Sequence, residues 1–167
     1  MSDTTNHLAQ ETAHHLHGRE RWFGPSADQS GSDWALAETL NSYTIVSGSN
    51  AWGAVKKLLG TSDTPVVAGK KKWDAHRFLL ADIDSDTIWK LQFIWGSGTS
   101  EDAIAAGQYT EVYAGFDSAN PTTLPRVPVD VMMPRLNAGV DQLWVRGWNA
   151  TNLAEMEIYI GIHEYDE

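Results

Sequence analysis

Apolar and polar positions alternate in several segments of this chain, and the alternation is clearest in the last strand-like segment. In EMEIYIGIHEY, large apolar residues occupy every second position, at Met156, Ile158, Ile160 and Ile162. Side chains spaced by two residues lie on one face of a β-strand, whereas a helix would scatter them. The same spacing recurs at Thr87, Trp89, Leu91, Phe93 and Trp95 and at Val127, Val129, Val131 and Met133. The pattern therefore predicts half-buried strands.

Several such segments follow one another, separated by residues that favour turns. The candidate strands are SYTIVSG, TPVVAG, KWDAHRFLLADI, TIWKLQFIWG, QYTEVYAGF, VPVDVMMPRL, QLWVRGWN and EMEIYIGIHEY. DIDSDT is typical of a tight turn, and GSGTSEDAIAAG is typical of a loop with at most a short helical turn. Many short strands joined by turns indicate an all-β protein. We therefore predict an antiparallel, jelly-roll-like β-sandwich over residues 34–167.

Residues 1–33 do not follow this pattern, and we predict that they form an N-terminal arm and loop. They are polar, and they contain four of the six histidines of the chain. Within them, RERWFG brings together Arg19, Arg21, Trp22 and Phe23. Arginine and tryptophan are the residue types most enriched where proteins bind partners. We predict that these four residues dock on a partner and that deletion of residues 1–24 leaves the sandwich folded.

The net charge of −10 and the absence of cysteine narrow the functional classes. An acidic chain lacks the basic surface that nucleic acids and anionic membranes require, so neither is an expected partner. We also expect no membrane span and no secretory leader, because no apolar run is long enough. Without cysteine, stability must come from packing or oligomerisation. The chain has eight tryptophans, which favours a homo-oligomer, and we predict a trimer.

Two polar clusters suggest metal or catalytic chemistry, but neither matches a known motif. His14 and His17 have helical spacing and no third ligand at a motif distance. The acidic run at 82–86 lacks the glycine and glutamate that an EF-hand loop needs. The chain also lacks GxSxG, P-loop and GxGxxG sequences. We predict no enzymatic activity, no metal and no cofactor, and a small β-sandwich enzyme remains an alternative.

The tryptophans near the end of the chain suggest a binding surface. Trp144 and Trp148 are expected on one strand face, flanking Arg146. Aromatic rings on an exposed face can stack against sugars, whereas the same residues serve equally in a core or a subunit interface. The core or interface interpretation is favoured. We retain these three residues as possible ligand or interface residues.

Three stretches of the chain resemble a group of small head-associated structural proteins of tailed phages and other viruses. They are HLHGRERWFG, TPVVAGKKKWDAHRFLLADIDSDTIWKLQFIWGSG and LWVRGWNAT with IYIGIHEYD. The resemblance implies a virion protein made in the host cytoplasm, foremost a trimeric capsid decoration (cement) protein on the outer surface of the head. It implies the major capsid protein as partner, contacted by the arm through Arg19, Arg21, Trp22 and Phe23. The alternative is a carbohydrate- or receptor-binding β-sandwich module of a virion fibre or tail.

Overall fold

The computed structural model of the chain describes residues 20–24, 43–60, 70–84, 88–114 and 128–166. Strands account for 59% of these residues and helix for 6%, which confirms the predicted all-β fold. The strands are β1 Arg21–Phe23, β2 Thr44–Val46, β3 Gly48–Ser49, β4 Ala51–Trp52, β5 Lys56–Gly60, β6 Lys72–Ala81, β7 Trp89–Gly96, β8 Tyr109–Ala114, β9 Val129–Asp130, β10 Leu136–Asn137, β11 Gln142–Asn149 and β12 Glu155–Tyr165. The helix is α1, Ser100–Ala105, in the loop where a short helical turn was expected.

The first sheet is built around β12, the strand with the clearest alternation in the sequence. β12 pairs antiparallel with β6 along almost its whole length. Its other edge pairs with β1 and β2, and the far edge of β6 pairs with β9 and β10. Both long strands therefore have neighbours on each side, as central strands do.

The second sheet is built around β11 and β7, which pair antiparallel. β8 continues this sheet beyond β7. The other edge of β11 carries β5, β4 and β3, of which β3 runs parallel. α1 lies between β7 and β8 in the chain, and Thr99 caps it by accepting a hydrogen bond from the Asp102 amide at 3.1 Å.

The core lies between the two sheets and contains the residues that alternate in the sequence. Met156, Ile158, Ile160 and Ile162 are all buried, which confirms the prediction for that strand. Phe78 of the first sheet meets Phe93 of the second with ring centroids 5.2 Å apart. The predicted alternation from Val127 to Met133 holds less well. Val131 is buried, but Val129 is 43% exposed because β9 is a two-residue edge strand.

Residues 21–23, assigned from the sequence to an arm, are part of the first sheet. β1 pairs with β12 in the register Arg21–Ile162, Trp22–Gly161 and Phe23–Ile160. Phe23 has no exposed surface and lies in the core. Residues 1–19 and 25–33 of the predicted arm, and its boundary at residues 33 and 34, lie outside the described residues.

Candidate functional site

The residues predicted to dock on a partner have different surroundings in the structure. Arg21 forms an ion pair with Glu164 of β12 at 3.0 Å, and its guanidinium carbon lies 5.3 Å from the centre of the Phe23 ring. Phe23 is buried, so it stabilises this chain and offers no side chain to a partner. Trp22 points to the opposite side of β1 and is half-buried. Arg19 lies outside the described residues. Of the described residues in this set, Trp22 is therefore the best suited to contact a partner.

Trp22 belongs to an outward surface of the first sheet that we call the histidine face. This surface comprises Glu20, Trp22, Asp74, His76, Arg77, Arg135, His163 and Tyr165. At one end of it, the Arg77 guanidinium donates two hydrogen bonds to the Glu20 carboxylate, with Arg77 Nε 3.1 Å from Glu20 Oε1. This contact raises the pKa of Arg77. The ion pair and the Trp22 ring both lie over Gly161, where a Cβ atom would come within 3.1 Å of Trp22 Cε2.

Two imidazole rings stack in the middle of the histidine face. His76 and His163 have ring centroids 4.5 Å apart. His76 is an extra residue in β6, because the pairing with β12 shifts between Gly161 and Ile162. Such a bulge redirects a side chain without ending the strand. Burial is the larger cause that lowers the pKa of His163, and the neighbouring His76 lowers it further. The stack therefore favours neutral imidazole at His163.

The other end of the histidine face is held by Tyr165. Its hydroxyl donates a hydrogen bond to Asp74 Oδ2 at 2.9 Å, and the Arg135 guanidinium carbon lies 4.0 Å from the centre of its ring. Burial and the Asp74 carboxylate raise the pKa of Tyr165 to about 12. The phenol therefore stays protonated at neutral pH and acts as a hydrogen-bond donor. The Glu20–Arg77 ion pair, the histidine stack and the two contacts of Tyr165 together fix the geometry of this surface.

The outward side of the second sheet carries the other set of residues singled out in the sequence. Trp144, Arg146 and Trp148 share one face of β11, as predicted from their spacing. Trp144 is only 7% exposed, because it packs with Ile94 and with Ala103 of α1. This places Trp144 in a small core beneath the helix, in agreement with the favoured interpretation. Trp148 and Arg146 remain half-buried at the surface.

Arg146 and Trp148 belong to a surface that we call the tryptophan face. It comprises Trp52, Lys90, Gln92, Glu111, Tyr113, Arg146 and Trp148. Arg146 Nε donates to Gln92 Oε1 at 2.7 Å, and Gln92 Nε2 donates to Glu111 Oε1 at 2.9 Å. The Arg146 guanidinium carbon lies 4.9 Å from the centre of the Trp52 ring. Burial lowers the pKa of Arg146. Two contacts, with Gln92 and with Trp52, therefore hold the arginine in a partly buried position.

Arg146, Gln92 and Glu111 form one row of the tryptophan face, and in the row next to it Lys90 lies between two aromatic rings. Lys90 Nζ lies 4.5 Å from the centre of the Trp148 ring and 5.6 Å from that of Tyr113. Cations near aromatic faces are attracted by the negative potential of the ring. Tyr113 is 64% exposed. The face therefore presents cations next to an accessible aromatic ring.

Among the described residues, no group of three or more histidines or carboxylates is placed to hold a metal ion. Asp84, in the middle of the acidic run at 82–86, accepts a hydrogen bond from the Glu155 amide at 2.7 Å and so connects that run to β12. His14 and His17 lie outside the described residues. No helix in the described part of the chain is long and apolar enough to cross a membrane.

Sequence reasoning identified some of these residues and missed others. It did not identify the His76 and His163 pair, the Glu20–Arg77 ion pair or the role of Gln92. These residues come from segments far apart in the chain, and their pairing depends on strand register. The one available signal was the outward position of His163 in an alternating strand.

The protein is a β-sandwich, and on the outer surface of each sheet polar side chains are linked across neighbouring strands by hydrogen bonds or ion pairs. Comparison of the chain with known protein families, with curated proteins and with solved structures finds no match.

Proposed function

We propose that this protein is a non-catalytic structural component of a virus particle, foremost a decoration protein on the outer surface of the capsid. The main support for the proposal is the position in the fold of the stretches that resemble viral structural proteins. RERWFG provides β1, KWDAHRFLLADI provides β6 and IYIGIHEY belongs to β12. These three strands are neighbours in the first sheet. Part of the resemblance is therefore carried by residues of the sheet that bears the histidine face, and another part, from β7 and β11, lies on two paired strands of the second sheet.

The order of the strands supports the same proposal, because we infer from it a jelly-roll topology. In a jelly roll, eight strands numbered along the chain pair as 1-8-3-6 in one sheet and 2-7-4-5 in the other, which corresponds to two Greek keys. Here the first sheet contains the order β2-β12-β6-β9 and the second β5-β11-β7-β8. With β2, β5, β6, β7, β8, β9, β11 and β12 taken as strands one to eight, the two orders agree. Jelly rolls are frequent among viral capsid and lectin domains.

The histidine face has properties that suit attachment to another protein. It combines a half-buried tryptophan with arginines at both ends, and these residue types contribute most at protein interfaces. Its side chains are held by ion pairs and stacking, so little conformational entropy is lost on binding. The proposed partner is the major capsid protein. We propose that the decoration protein is a trimer, and exposed Val129 and Met132 beside the β9 edge support a contact between copies.

Reconstitution on capsids tests this proposal. The protein would be co-expressed with the major capsid protein encoded in the same genome, and shells would be separated by sedimentation. We expect the protein to co-sediment at a fixed ratio. Trp22→Ala and Arg135→Gln, both on the histidine face, should reduce its occupancy, while Tyr113→Ala on the tryptophan face should not. Wild-type protein that stays at the top of the gradient at saturating concentration would refute the proposal.

A further inference from the structure

We propose that the tryptophan face binds a saccharide that carries a carboxylate, with Arg146 as the residue that recognises the carboxylate. This site lies on the opposite sheet from the proposed capsid contact. It would operate whether or not the protein attaches to a capsid. The proposal rests on the placement of Arg146, the two rows of side chains around it and the distribution of charge.

The hydrogen bonds around Arg146 leave the outer edge of its guanidinium available. Nε is used by Gln92, and one face of the group stacks on Trp52. Neither Nη nitrogen hydrogen-bonds to any residue in the described part of the chain. Stacking on an aromatic ring and bidentate binding of a carboxylate in the guanidinium plane are compatible. The arginine is therefore oriented in advance for a planar anion.

The side chain that orients Arg146 is itself held in place. Gln92 is 2% exposed, and both ends of its amide are used, one by Arg146 and one by Glu111. An amide fixed in this way cannot rotate without breaking a buried hydrogen bond. The row formed by Arg146, Gln92 and Glu111 runs across three adjacent strands. Its far end presents the exposed Glu111 carboxylate, which can accept hydrogen bonds from sugar hydroxyls.

The neighbouring row provides the aromatic surface that a sugar ring requires. Trp148, Lys90 and Tyr113 lie opposite one another on the same three strands. This row is two residues along each strand from the first, a distance of about 7 Å. Each of the three rings has a cation near it, and Tyr113 is the most accessible of them because it is 64% exposed whereas Trp52 and Trp148 are half-buried. Arg146 lies two strands and one row away from Tyr113, about 12 Å between Cα atoms, so a ligand of two or more sugar units would be needed to stack on Tyr113 and place a carboxylate at Arg146.

Charge and shape favour an acidic ligand over a neutral one. Burial lowers the pKa of Arg146, and the nearby Glu111 carboxylate only partly offsets this, so a second anion at the free edge of the guanidinium would be favourable. Lys90 adds a second cation, although the chain as a whole carries a net charge of −10. α1 packs over Ile94 and Trp144 and closes one end of the face. These features restrict the ligand to the two rows that contain the cations.

Binding of defined saccharides to the full chain tests the site. Titration calorimetry would compare trigalacturonic acid and sialyllactose with the methyl ester of the former, with lactose and with inorganic phosphate. We expect at least one acidic saccharide to bind and its neutral counterpart to bind at least about tenfold more weakly. No binding of either acidic saccharide at millimolar concentration would overturn the proposal. Phosphate binding as tight as saccharide binding would overturn the sugar specificity.

Substitutions then assign the interaction to Arg146. Arg146→Gln should weaken acidic saccharide binding roughly 10- to 100-fold, because it removes hydrogen bonds between charged groups. Arg146→Lys keeps the charge but loses the planar fork, and should also weaken binding by about tenfold. Arg135→Gln, on the histidine face, is the matched control and should bind as wild type. Circular dichroism would confirm that each variant is folded. Unchanged affinity of folded Arg146→Gln would refute the assignment.

Discussion

Replacement of Phe23 by alanine tests whether the RERWFG segment belongs to the body of the protein. Phe23 lies in β1, opposite Ile160, and its side chain has no exposed surface. Its ring packs in the core, and the Arg21 guanidinium lies beside it. The structure therefore predicts a large loss of stability, whereas an independent docking arm predicts none.

The size of this loss follows from the burial of the ring. Truncation of a fully buried phenylalanine to alanine costs about 3–5 kcal/mol, because apolar contacts are lost and a cavity remains. In a domain of this size each 1 kcal/mol lowers the melting temperature by about 2–4 °C. We therefore expect the melting temperature of Phe23→Ala to fall by roughly 6–20 °C. Phe23→Leu fills more of the space and should lose only about 1 kcal/mol.

Urea unfolding followed by tryptophan fluorescence would measure the free energy of unfolding of each variant. The matched control is Trp22→Ala, which changes the adjacent residue on the outward side of the same strand. Since Trp22 is half-buried, this variant should lose about 1 kcal/mol or less. A large difference between the two variants would show that β1 is anchored by its inward side chain.

A loss of less than about 1 kcal/mol for Phe23→Ala would refute this reasoning. Such a result would mean that β1 contributes little to the fold and that residues 19–23 act as an arm. Deletion of residues 1–24 distinguishes the same two possibilities, a β1 strand that stabilises the fold and an arm that does not. The placement of Phe23 predicts a destabilised protein after this deletion, contrary to the expectation from the sequence.

Three further predictions concern the histidine face. Because burial lowers the pKa of His163, the unfolded chain binds more protons below its ordinary pKa of about 6.5, so stability should fall as the pH drops below that value. Urea unfolding at neutral and mildly acidic pH should show this loss, and His163→Gln should reduce it. Tyr165 should titrate near pH 12 by ultraviolet absorbance, and Asp74→Asn should move its pKa towards about 10. Gly161→Ala should speed amide hydrogen exchange in β1, because its Cβ atom would lie 3.1 Å from Trp22 Cε2; unchanged exchange would contradict this.

Features that depend on local periodicity were predictable from the sequence. The alternation in β12 and β7 gave the correct inward residues, and Trp144, Arg146 and Trp148 were correctly placed on one face of β11. The loop at 100–107 was correctly expected to hold a short helix. Each of these inferences uses only neighbours within a few positions, where the side-chain direction is set by the backbone.

Features that depend on which strands are neighbours were not predictable. β1 is too short to show a period, so the inward direction of Phe23 gave no signal. Glu164, which forms the ion pair with Arg21 of β1, is 143 residues away from it in the chain. The burial of Trp144 depends on α1, which covers it from a different part of the sequence. Strand register and the bulge at His76 decide these contacts, and a single sequence does not specify them.

The position of β12 has a consequence for the order in which the protein folds. β12 lies between β6 and the pair β1 and β2, yet it follows all three in the chain. Before residues 155–165 are available, β1, β2 and β6 have no shared partner, and their pairing edges are exposed to other chains. Contacts between such distant segments form slowly, because the loop closure must come first. We therefore expect the first sheet to assemble late and interrupted synthesis to leave a product prone to aggregation.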